Sequence, residues 1–337
     1  MQIQAFDPGA EPDKIQPFYE FYVAGIPLDD PDGPPWSQAL FTSWVANGWA
    51  GERRETALAI GDDGSPVGAC LIELPVRRNK HIGYVTLLVP PGQRRHGIGR
   101  EMLRHVAGCA ADDGRTLLTS DARCGSSGAA FAAAVGARGG LVDVRRVLEL
   151  AAIPDGHLAG LRRQAEAAAR GYSLVRWAGP VPQEYLEGVA MVTVAMDDAP
   201  HNPDREPHQP DTEWIRESER RSAERGTRTY SVAAVSDETG EVAAVTAIAV
   251  DRNDPSWAYQ MITAVARAHR GHRLGMLIKV DMLDQLTGAE PRLGRIMTGN
   301  AGANRFMIAI NAELGFRVLD EWQSWDLDVA LLTGPER

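Results

Sequence analysis

The sequence lacks the features that membrane, secreted and zinc-scaffold proteins require. None of its apolar stretches approaches the ~18 consecutive residues of a membrane span, and the longest candidate is Val242–Val250. Met1 is followed by Gln-Ile-Gln rather than by the basic start and apolar core of a signal peptide. The three cysteines form no CxxC pair, which argues against a disulfide framework and a structural zinc site. We therefore expect a cytoplasmic protein with neither a membrane association nor a bound metal.

Positive charge is also scarce. The chain has 35 Lys and Arg residues against 45 Asp and Glu residues, a net charge of −10, and its lysines are Lys14, Lys80 and Lys279. Binding to nucleic acid or to an anionic membrane needs a net basic face, so we expect neither partner. The acidic balance instead favours a cationic small molecule through long-range attraction. A length of 337 residues, at roughly 150 residues per domain, predicts two domains.

The chain contains one pattern twice. Val85–Gly99 is an apolar run followed by a turn rich in arginine and glycine, and an amphipathic helical pattern comes next. Met261–Gly275 repeats this order. A second landmark, Val135-Gly-Ala, recurs as Leu314-Gly-Phe at nearly the same displacement along the chain. Two landmarks with one displacement predict an internal duplication.

The seam between the repeats lies near residue 150. We expect Val144–Leu150 to be the last strand of the first repeat and Tyr172–Trp177 to be the strand that opens the second. Asp197–Asp211, rich in proline, histidine and aspartate, reads as a loop. The predicted organisation is an N-terminal domain over residues 1–155, a connecting helix over 156–171 and a C-terminal domain over 172–337.

The basic turn has the composition of an anion site. A strand that leads through a turn into a helix N-terminus presents backbone N–H groups and the positive end of the helix dipole. Glycine lets a phosphate approach the backbone, and arginine adds charge-assisted hydrogen bonds. Arg94–Gly99 combines these features, but it is neither a Walker A loop nor a dinucleotide-binding GxGxxG. The sequence therefore predicts a phosphate-binding turn of another kind.

The pattern of this turn resembles the diphosphate-binding loop of the GNAT superfamily of acyl-CoA N-acyltransferases. Arg94, Gly97 and Gly99 match the family pattern, and so do Arg270 and Gly275, while Arg273 stands where the inner glycine is expected. The downstream segment, from Thr298 through Asn304, Met307 and Asn311 to Leu314-Gly-Phe316, resembles the part of the fold that lines the other side of coenzyme A. The resemblance covers nearly the whole chain, and its two-copy form resembles mycothiol synthase and related actinobacterial tandem enzymes.

This resemblance implies a fold, a substrate and a reaction. The fold class is α/β: two tandem domains, each with a mostly antiparallel mixed sheet, a splayed strand pair and flanking helices. The pantetheine arm would lie in the splayed gap, with acetyl-CoA or a longer acyl-CoA as acyl donor. A primary amine of a small molecule (an amino sugar, an aminoglycoside or a natural-product amine) would attack directly in a ternary complex.

Residues of both repeats are implied to contact coenzyme A. In the N-terminal repeat they are Leu87, Leu88, Val89, Arg94, Arg95, His96, Gly97, Ile98 and Gly99. In the C-terminal repeat they are Thr263, Ala264, Val265, Arg270, Gly271, His272, Arg273, Leu274, Gly275, Asn300, Asn304 and Met307.

The catalytic side chains common in related enzymes are missing. The family's tyrosine acid is replaced by Asn311, and by Ala132 in the first repeat, and the strand Trp257–Val265 carries no carboxylate. We predict Asn311 as a hydrogen-bond donor and His201 as the base. Asp197, Asp198 and Asp251 are alternative bases, and orientation of the reactants is a further source of rate.

The two repeats keep different parts of the family pattern. The first keeps the better phosphate loop and the second the better distal helix, so we predict that the C-terminal domain carries the chemistry and that the N-terminal domain is degenerate or structural. A non-catalytic coenzyme A-binding or scaffold protein is the alternative function. A monomer and a homodimer both fit the sequence.

Overall fold

The computed structural model describes residues 1–198, 202–207, 209–302 and 304–333. The strands are β1 (Gln2–Phe6), β2 (Glu52–Ile60), β3 (Pro66–Pro75), β4 (Ile82–Leu88), β5 (Leu117–Arg123), β6 (Arg138–Glu149), β7 (Tyr172–Ala178), β8 (Thr227–Ser236), β9 (Val242–Asp251), β10 (Trp257–Val265), β11 (Arg295–Ala301) and β12 (Arg317–Asp328). The α-helices are α1 (Ile15–Asp29), α2 (Gln38–Asn47), α3 (Ile98–Asp112), α4 (Ser127–Ala134), α5 (His157–Ala168), α6 (Leu186–Thr193), α7 (Thr212–Glu224), α8 (Leu274–Ala289), α9 (Arg305–Leu314) and α10 (Ala330–Thr333). Within the described ranges, none of these helices is long and apolar enough to cross a membrane.

The chain forms two compact units. The N-terminal unit comprises Met1–Val142, Asp204–Glu206 and Asp320–Arg337, and the C-terminal unit comprises Asp143–Pro203 and Pro207–Leu319. The predicted α/β class is confirmed, because each unit has a mixed sheet flanked by helices.

In the N-terminal unit the strand order is β1-β2-β3-β4-β5-β12, and β4–β5 is the parallel pair. The central strand β3 contributes side chains to two hydrophobic cores, one on each face of the sheet. Ala69 and Leu71 pack in the cluster under α1 and α2, whereas Cys70, Ile72 and Leu74 pack in the cluster under α3. Because successive residues of a strand point to opposite faces, a strand covered on both sides reads as one continuous apolar run.

In the C-terminal unit the strand order is β6-β11-β10-β9-β8-β7, and β10–β11 is the parallel pair. On β8, Tyr230, Val232 and Ala234 belong to the cluster that includes α5 and α8, while Ala233 belongs to the opposite cluster, which includes α6 and α7. The mostly antiparallel mixed sheet predicted for each repeat is therefore confirmed in both units.

Helix α8 is buried along most of its length. Every residue from Leu274 to Leu283 is buried, because α5 packs on the side that would otherwise face solvent. The polar residues of this stretch are consequently inside the protein. Asp281 is fully buried and accepts hydrogen bonds from Arg162 and Arg176. Lys279 is also buried, and it belongs to the site described below.

The two repeats exchange their last strands. Residues of β12 pair with β5 from Trp322↔Arg123 to Asp328↔Leu117, so the end of the chain completes the N-terminal unit. Residues of β6 pair with β11 from Arg295↔Glu149 to Ala301↔Asp143. The strand expected to close the first repeat is therefore part of the C-terminal unit. The limits 1–155 and 172–337 divide the chain by repeat and stay a prediction, while the compact units follow the strand exchange.

Candidate active site

Both basic turns have the predicted strand–turn–helix form. In the N-terminal unit β4 ends at Leu88, a 3-10 turn spans Pro91–Gln93, and α3 begins at Ile98. In the C-terminal unit β10 ends at Val265, and α8 begins at Leu274 after a similar turn. Each helix therefore directs its first free N–H groups toward the turn, where an anion is stabilised.

Each turn contains two left-handed residues, one glycine and one arginine, in opposite order. Arg95 has φ 69° and Gly97 has φ 86°, whereas Gly271 has φ 89° and Arg273 has φ 53°. The departure from the family pattern at Arg273 thus leaves the backbone shape intact. A left-handed backbone conformation costs an arginine roughly 1–2 kcal/mol relative to a right-handed one. The turn therefore keeps its shape in spite of this cost.

The second glycine of each motif has a packing role. A Cβ atom on Gly99 would lie 3.2 Å from Cε2 of Phe131, and one on Gly275 would lie 3.1 Å from Cδ1 of Ile310. These glycines therefore let the helix after the turn approach the next helix closely.

Arg94 and Arg270 are tied to the protein itself. Arg94 donates from Nε to the Val89 carbonyl at 2.9 Å and from Nη2 to Asp29 at 2.5 Å. Arg270 donates to the Val265 carbonyl at 3.3 Å and to Asp198. Each first arginine thus joins the end of the gap-lining strand to a carboxylate.

The charged side chains of the two turns differ in availability. Arg267 and Arg270 hold the pKa of Asp198 well below its usual range, so this carboxylate is a poor base. Arg95, by contrast, is exposed and has no side-chain partner among the residues that the structure describes. In the N-terminal turn, Arg95 is therefore a guanidinium available for a phosphate.

A gap opens beside the strand that precedes each turn. The parallel pair β4–β5 runs from Ile82↔Leu117 only to Tyr84↔Thr119, and β10–β11 runs from Trp257↔Arg295 only to Tyr259↔Met297. Beyond these pairs the strands separate. The residues implied to meet the pantetheine arm, Leu87–Val89 and Thr263–Val265, follow this point of separation. The splayed strand pair implied by the resemblance is present in both units.

The gap strand of the C-terminal unit carries a β-bulge. The register of β10 against β9 shifts between Gln260 and Ile262, which leaves Met261 as the extra residue. In the N-terminal unit β4 pairs with β3 residue for residue, from Glu73↔Tyr84 to Ala69↔Leu88. Bulges often lie beside active sites, where they redirect a strand. This difference between the repeats could not be seen in the sequence.

Polar side chains satisfy the backbone around the bulge. Nε2 of Gln260 donates to the carbonyls of Ala247 at 2.8 Å and Ile262 at 2.9 Å. Thr246 Oγ1 lies 2.9 Å from both Gln260 Nε2 and Thr263 Oγ1. Sequence reasoning missed Gln260 and Thr246, although polar residues inside two apolar strands were a signal.

Asn311 is buried rather than exposed to the gap. Its exposed fraction is 0%, its Nδ2 donates to Oδ1 of Asn300 at 2.8 Å, and its Oδ1 accepts from Nζ of Lys279 at 2.8 Å. Lys279, 3% exposed, also lies 5.2 Å from the centre of the Phe316 ring. Burial lowers the pKa of Lys279 to about 7. The sequence signal for Lys279 was a single lysine inside an otherwise apolar stretch of helix.

Asn304 has a structural task. Its Oδ1 accepts a hydrogen bond from the Met307 amide at 3.3 Å, so it is the N-cap of α9. Ser126 caps α4 in the same way in the N-terminal unit. Helix capping gives Asn304 a role in the fold, and its contact with coenzyme A stays a prediction.

Two of the predicted bases, Asp198 and Asp251, are engaged by other groups. His201 lies outside the described residues, and Asp198 is held by two arginines. Asp251, expected in a loop, is the last residue of β9, is buried, and accepts from the Asn253 amide, next to the start of β10 rather than its open end. Asp197 lies in the short helix Val194–Asp198 and remains a candidate. Among the described residues, no group of three or more His, Cys, Asp or Glu side chains could hold a metal ion.

Known proteins share both the local motif and the whole architecture. The acetyltransferase (GNAT) family matches residues 17–124. A tandem GNAT protein from the clavulanic acid biosynthesis pathway superimposes with a TM-score of 0.81 at 27% sequence identity, covering 100% of this chain and 99% of that chain. Residues 17–124 therefore match a GNAT domain, and the whole chain has the fold of a tandem GNAT protein.

More distant N-acetyltransferase structures share the fold alone. A GCN5-related N-acetyltransferase from Sphaerobacter thermophilus gives a TM-score of 0.67 at 14% identity over 97% of this chain and 96% of that chain. A fungal glucosamine N-acetyltransferase region gives 0.64 at 12% identity, over 97% of this chain and 38% of a longer multi-domain chain. No curated protein matches the sequence.

Proposed function

We propose that this tandem GNAT protein is an N-acyltransferase that moves an acetyl or longer acyl group from acyl-CoA to a primary amine of a small molecule, in the gap of the C-terminal unit. The observation that carries the proposal is the bulged strand β10, which leaves its open edge over Thr263–Val265 beside β11. Backbone groups on this edge suit the amides of a pantetheine arm, and the turn before Leu274 offers N–H groups to the diphosphate.

The reaction requires little from the protein beyond orientation and charge stabilisation. The lone pair of a neutral amine forms a C–N bond to the thioester carbonyl carbon. The C–S bond breaks with its electron pair on sulfur, and the proton lost by the amine nitrogen balances the thiol product. The chain's task is to hold both reactants in place, to stabilise the negative charge and to accept that proton. Asp197 and His201 are the candidates for the last step.

The C-terminal domain, residues 172–337, is the proposed catalytic repeat. It has the bulge at Met261 and the buried polar group of Lys279, Asn311 and Asn300. The N-terminal repeat has aliphatic side chains at Leu103 and Ala132, which correspond to Lys279 and Asn311.

The N-terminal domain, residues 1–155, is the proposed structural repeat. In its unit the segment Asp204–Glu206 lies against the start of β4. The Arg205 guanidinium is 5.4 Å from the centre of the Tyr84 ring, and the Asp204 carbonyl is 2.8 Å from His81 Nε2. Tyr84 is the last residue of β4 that pairs with β5. A covered strand at this point supports a structural role, although residues 17–124 are those that match the family.

The acceptor is proposed to be a small cationic amine. The net charge of −10 favours a positively charged molecule over a nucleic acid. The tandem GNAT protein at 27% identity comes from clavulanic acid biosynthesis, which supports a natural-product amine alongside an amino sugar or an aminoglycoside.

Release of coenzyme A from acetyl-CoA tests the proposal. The full chain is incubated with a panel of primary amines, and steady release that depends on the amine is expected. Arg270→Glu should abolish turnover, and Arg94→Glu, the same change in the other repeat, should not. Loss only in Arg94→Glu would move the chemistry to the N-terminal unit. Tight binding of acyl-CoA without turnover by any amine would favour the alternative, a coenzyme A-binding or scaffold protein.

A further inference from the structure

A buried lysine in the C-terminal unit begins a directed chain of hydrogen bonds. Nζ of Lys279 donates to Oδ1 of Asn311, and Nδ2 of Asn311 donates to Oδ1 of Asn300, each at 2.8 Å. These residues come from α8, α9 and β11. The chain therefore connects the interior of the unit to the strand that forms one side of the gap.

The lysine determines the direction of this chain. An ammonium group can only donate, so Asn311 must present its oxygen to Lys279 and its nitrogen to Asn300. Asn300 must then use its oxygen as the acceptor, which leaves its own NH2 group as the free end. Within the described ranges, no group accepts a hydrogen bond from this NH2. Asn300 lies three residues beyond Met297, the last residue of β11 paired with β10, so it belongs to the part of β11 that borders the gap.

The fold does not require a lysine at this position. The equivalent residue of α3 is Leu103, which is buried in the core of the N-terminal unit, and Ala132 and Asp121 stand in place of Asn311 and Asn300. A buried ammonium without a carboxylate partner opposes folding, because one neutral acceptor and the Phe316 ring compensate only in part for the lost water. No carboxylate of the described chain pairs with Lys279. A costly residue that the sister repeat replaces with leucine indicates a function.

We propose that Lys279 is a positioning residue that acts through Asn311 to orient and polarise the Asn300 carboxamide, whose NH2 group stabilises the negative charge that develops on the thioester as the amine attacks. This inference rests on the proposed acyl transfer. Hydrogen bonds in one direction strengthen each other, and a cation at the start adds to the donor strength at the end. Lys279 transfers no proton, so the atom balance of the reaction is unchanged. The thioester atom whose negative charge the Asn300 NH2 group stabilises is the carbonyl oxygen or the sulfur.

The charge state of Lys279 is set by burial rather than by a neighbouring charge. The ionisable groups on and around α8 pair with one another: Asp281 and Asp284 with Arg162, Asp281 with Arg176, Glu290 with Arg228 and Tyr230, and Glu313 with Arg273. Desolvation alone lowers the pKa of Lys279 to about 7. Because polarisation needs the ammonium form, kcat should fall as pH rises through this pKa.

Steady-state kinetics test the chain of hydrogen bonds. Lys279→Met should lower kcat by about tenfold, leave KM for acyl-CoA within about twofold, and remove the descending limb of kcat above pH 7. Asn300→Asp, which replaces the donor by a carboxylate, should lower kcat by about a hundredfold. The double variant should lose no more than Asn300→Asp alone, because both changes interrupt one chain. Lys80→Met is the control on an exposed lysine. Additive losses, or a pH limb that persists in Lys279→Met, would overturn the proposal.

A second measurement needs no turnover. The chain has only Lys14, Lys80 and Lys279, so side-chain NMR of lysine-labelled protein can follow Lys279, assigned by its absence in Lys279→Met. If CoA shifts the pKa of Lys279 and desulfo-CoA does not, the Asn300 NH2 group stabilises the sulfur. If only acetyl-CoA shifts this pKa, the NH2 group stabilises the carbonyl oxygen. An identical titration with every ligand overturns the proposal. Absence of turnover with all amines would instead contradict the proposed function, which separates the two failures.

Discussion

Arg94 donates from Nη2 to Oδ2 of Asp29 at 2.5 Å, across the start of the N-terminal gap. Arg270 makes the equivalent contact with Asp198 in the C-terminal unit. In both units the arginine also holds the carbonyl at the end of the gap strand, and the carboxylate is the last residue of a helix, α1 for Asp29 and the short helix Val194–Asp198 for Asp198. The duplicated structural element is therefore larger than the sequence motif. It also includes the end of the gap strand and the carboxylate that binds the arginine.

Asp198 should oppose the binding of coenzyme A. Asp198→Asn removes a negative charge beside the C-terminal loop and releases Arg267 and Arg270 for the diphosphate. We expect the Kd for CoA to fall about fivefold, with a steeper dependence on salt. Calorimetry at two salt concentrations measures both quantities. Asp29→Asn is the matched variant in the other loop and should leave this Kd unchanged. Weaker binding in Asp198→Asn would show that the carboxylate organises the loop.

The stability of the protein should depend on pH through Lys279. Its pKa is about 7 in the folded chain and about 10.4 in an unfolded chain. Between these values the unfolded chain binds one more proton, so the free energy of unfolding should rise with pH, by up to roughly 4 kcal/mol. Below pH 7 the penalty of charging the buried amine is fully present.

Lys279→Met should abolish this rise. The variant is expected to be more stable than the wild type at pH 6, with a difference that shrinks toward pH 10, in urea denaturation at each pH. Lys80→Met, on the surface, provides the comparison. A stability difference that is constant with pH would mean that Lys279 titrates normally in the folded protein.

The bulge should depend on Gln260. Gln260→Leu leaves the Ala247 and Ile262 carbonyls without the donor that they share. We expect a loss of about 1 kcal/mol in the free energy of unfolding, because the part-buried Ala247 carbonyl loses this donor, while the Ile262 carbonyl still accepts from Thr246 Oγ1 at 3.0 Å. Met261→Leu, at the bulged residue itself, should change little, since Met261 is 53% exposed. Equal effects of the two substitutions would show that the Gln260 side chain does not stabilise the bulge.

The left-handed residues of the two turns give opposite expectations. Gly97→Ala places a Cβ at φ 86° and should destabilise the protein by about 1–2 kcal/mol. Arg273→Gly relieves a left-handed arginine at φ 53° and should be neutral or stabilising by up to about 1 kcal/mol. Thermal unfolding of both variants tests the pair, and a destabilised Arg273→Gly would show that its contact with Glu313 outweighs the backbone strain.

Local pattern in the sequence was sufficient for the repeat and the basic turns, whereas the gap followed from the resemblance to the GNAT superfamily. The strand, turn and helix around Arg94 and Arg270 depend on apolar periodicity and on neighbouring glycines, which are properties of short segments. The partners of these arginines were not predictable, because Asp29 and Asp198 lie about seventy residues earlier in the chain. Nothing in a single sequence reports which carboxylate folds back onto a guanidinium.

The strand exchange and the β-bulge could not be predicted from the sequence, for a different reason. Val144–Leu150 has the same alternation whether it pairs within its own repeat or with β11, so sequence fixes its conformation but not its partner. The shift at Met261 depends on how β9 and β10 align, which residue types do not encode. The burial of Lys279 depends on the packing of helices, because α5 covers the side of α8 that would otherwise face solvent.

We propose that the C-terminal gap binds acyl-CoA with its thioester beside Asn300. A crystal structure of the full chain with acetyl-CoA tests it most directly. We expect the pantetheine arm along Thr263–Val265, the diphosphate at the turn before Leu274 and the thioester within hydrogen-bond reach of the Asn300 carboxamide. Coenzyme A bound only between β4 and β5, or no bound nucleotide at a saturating concentration, would contradict it.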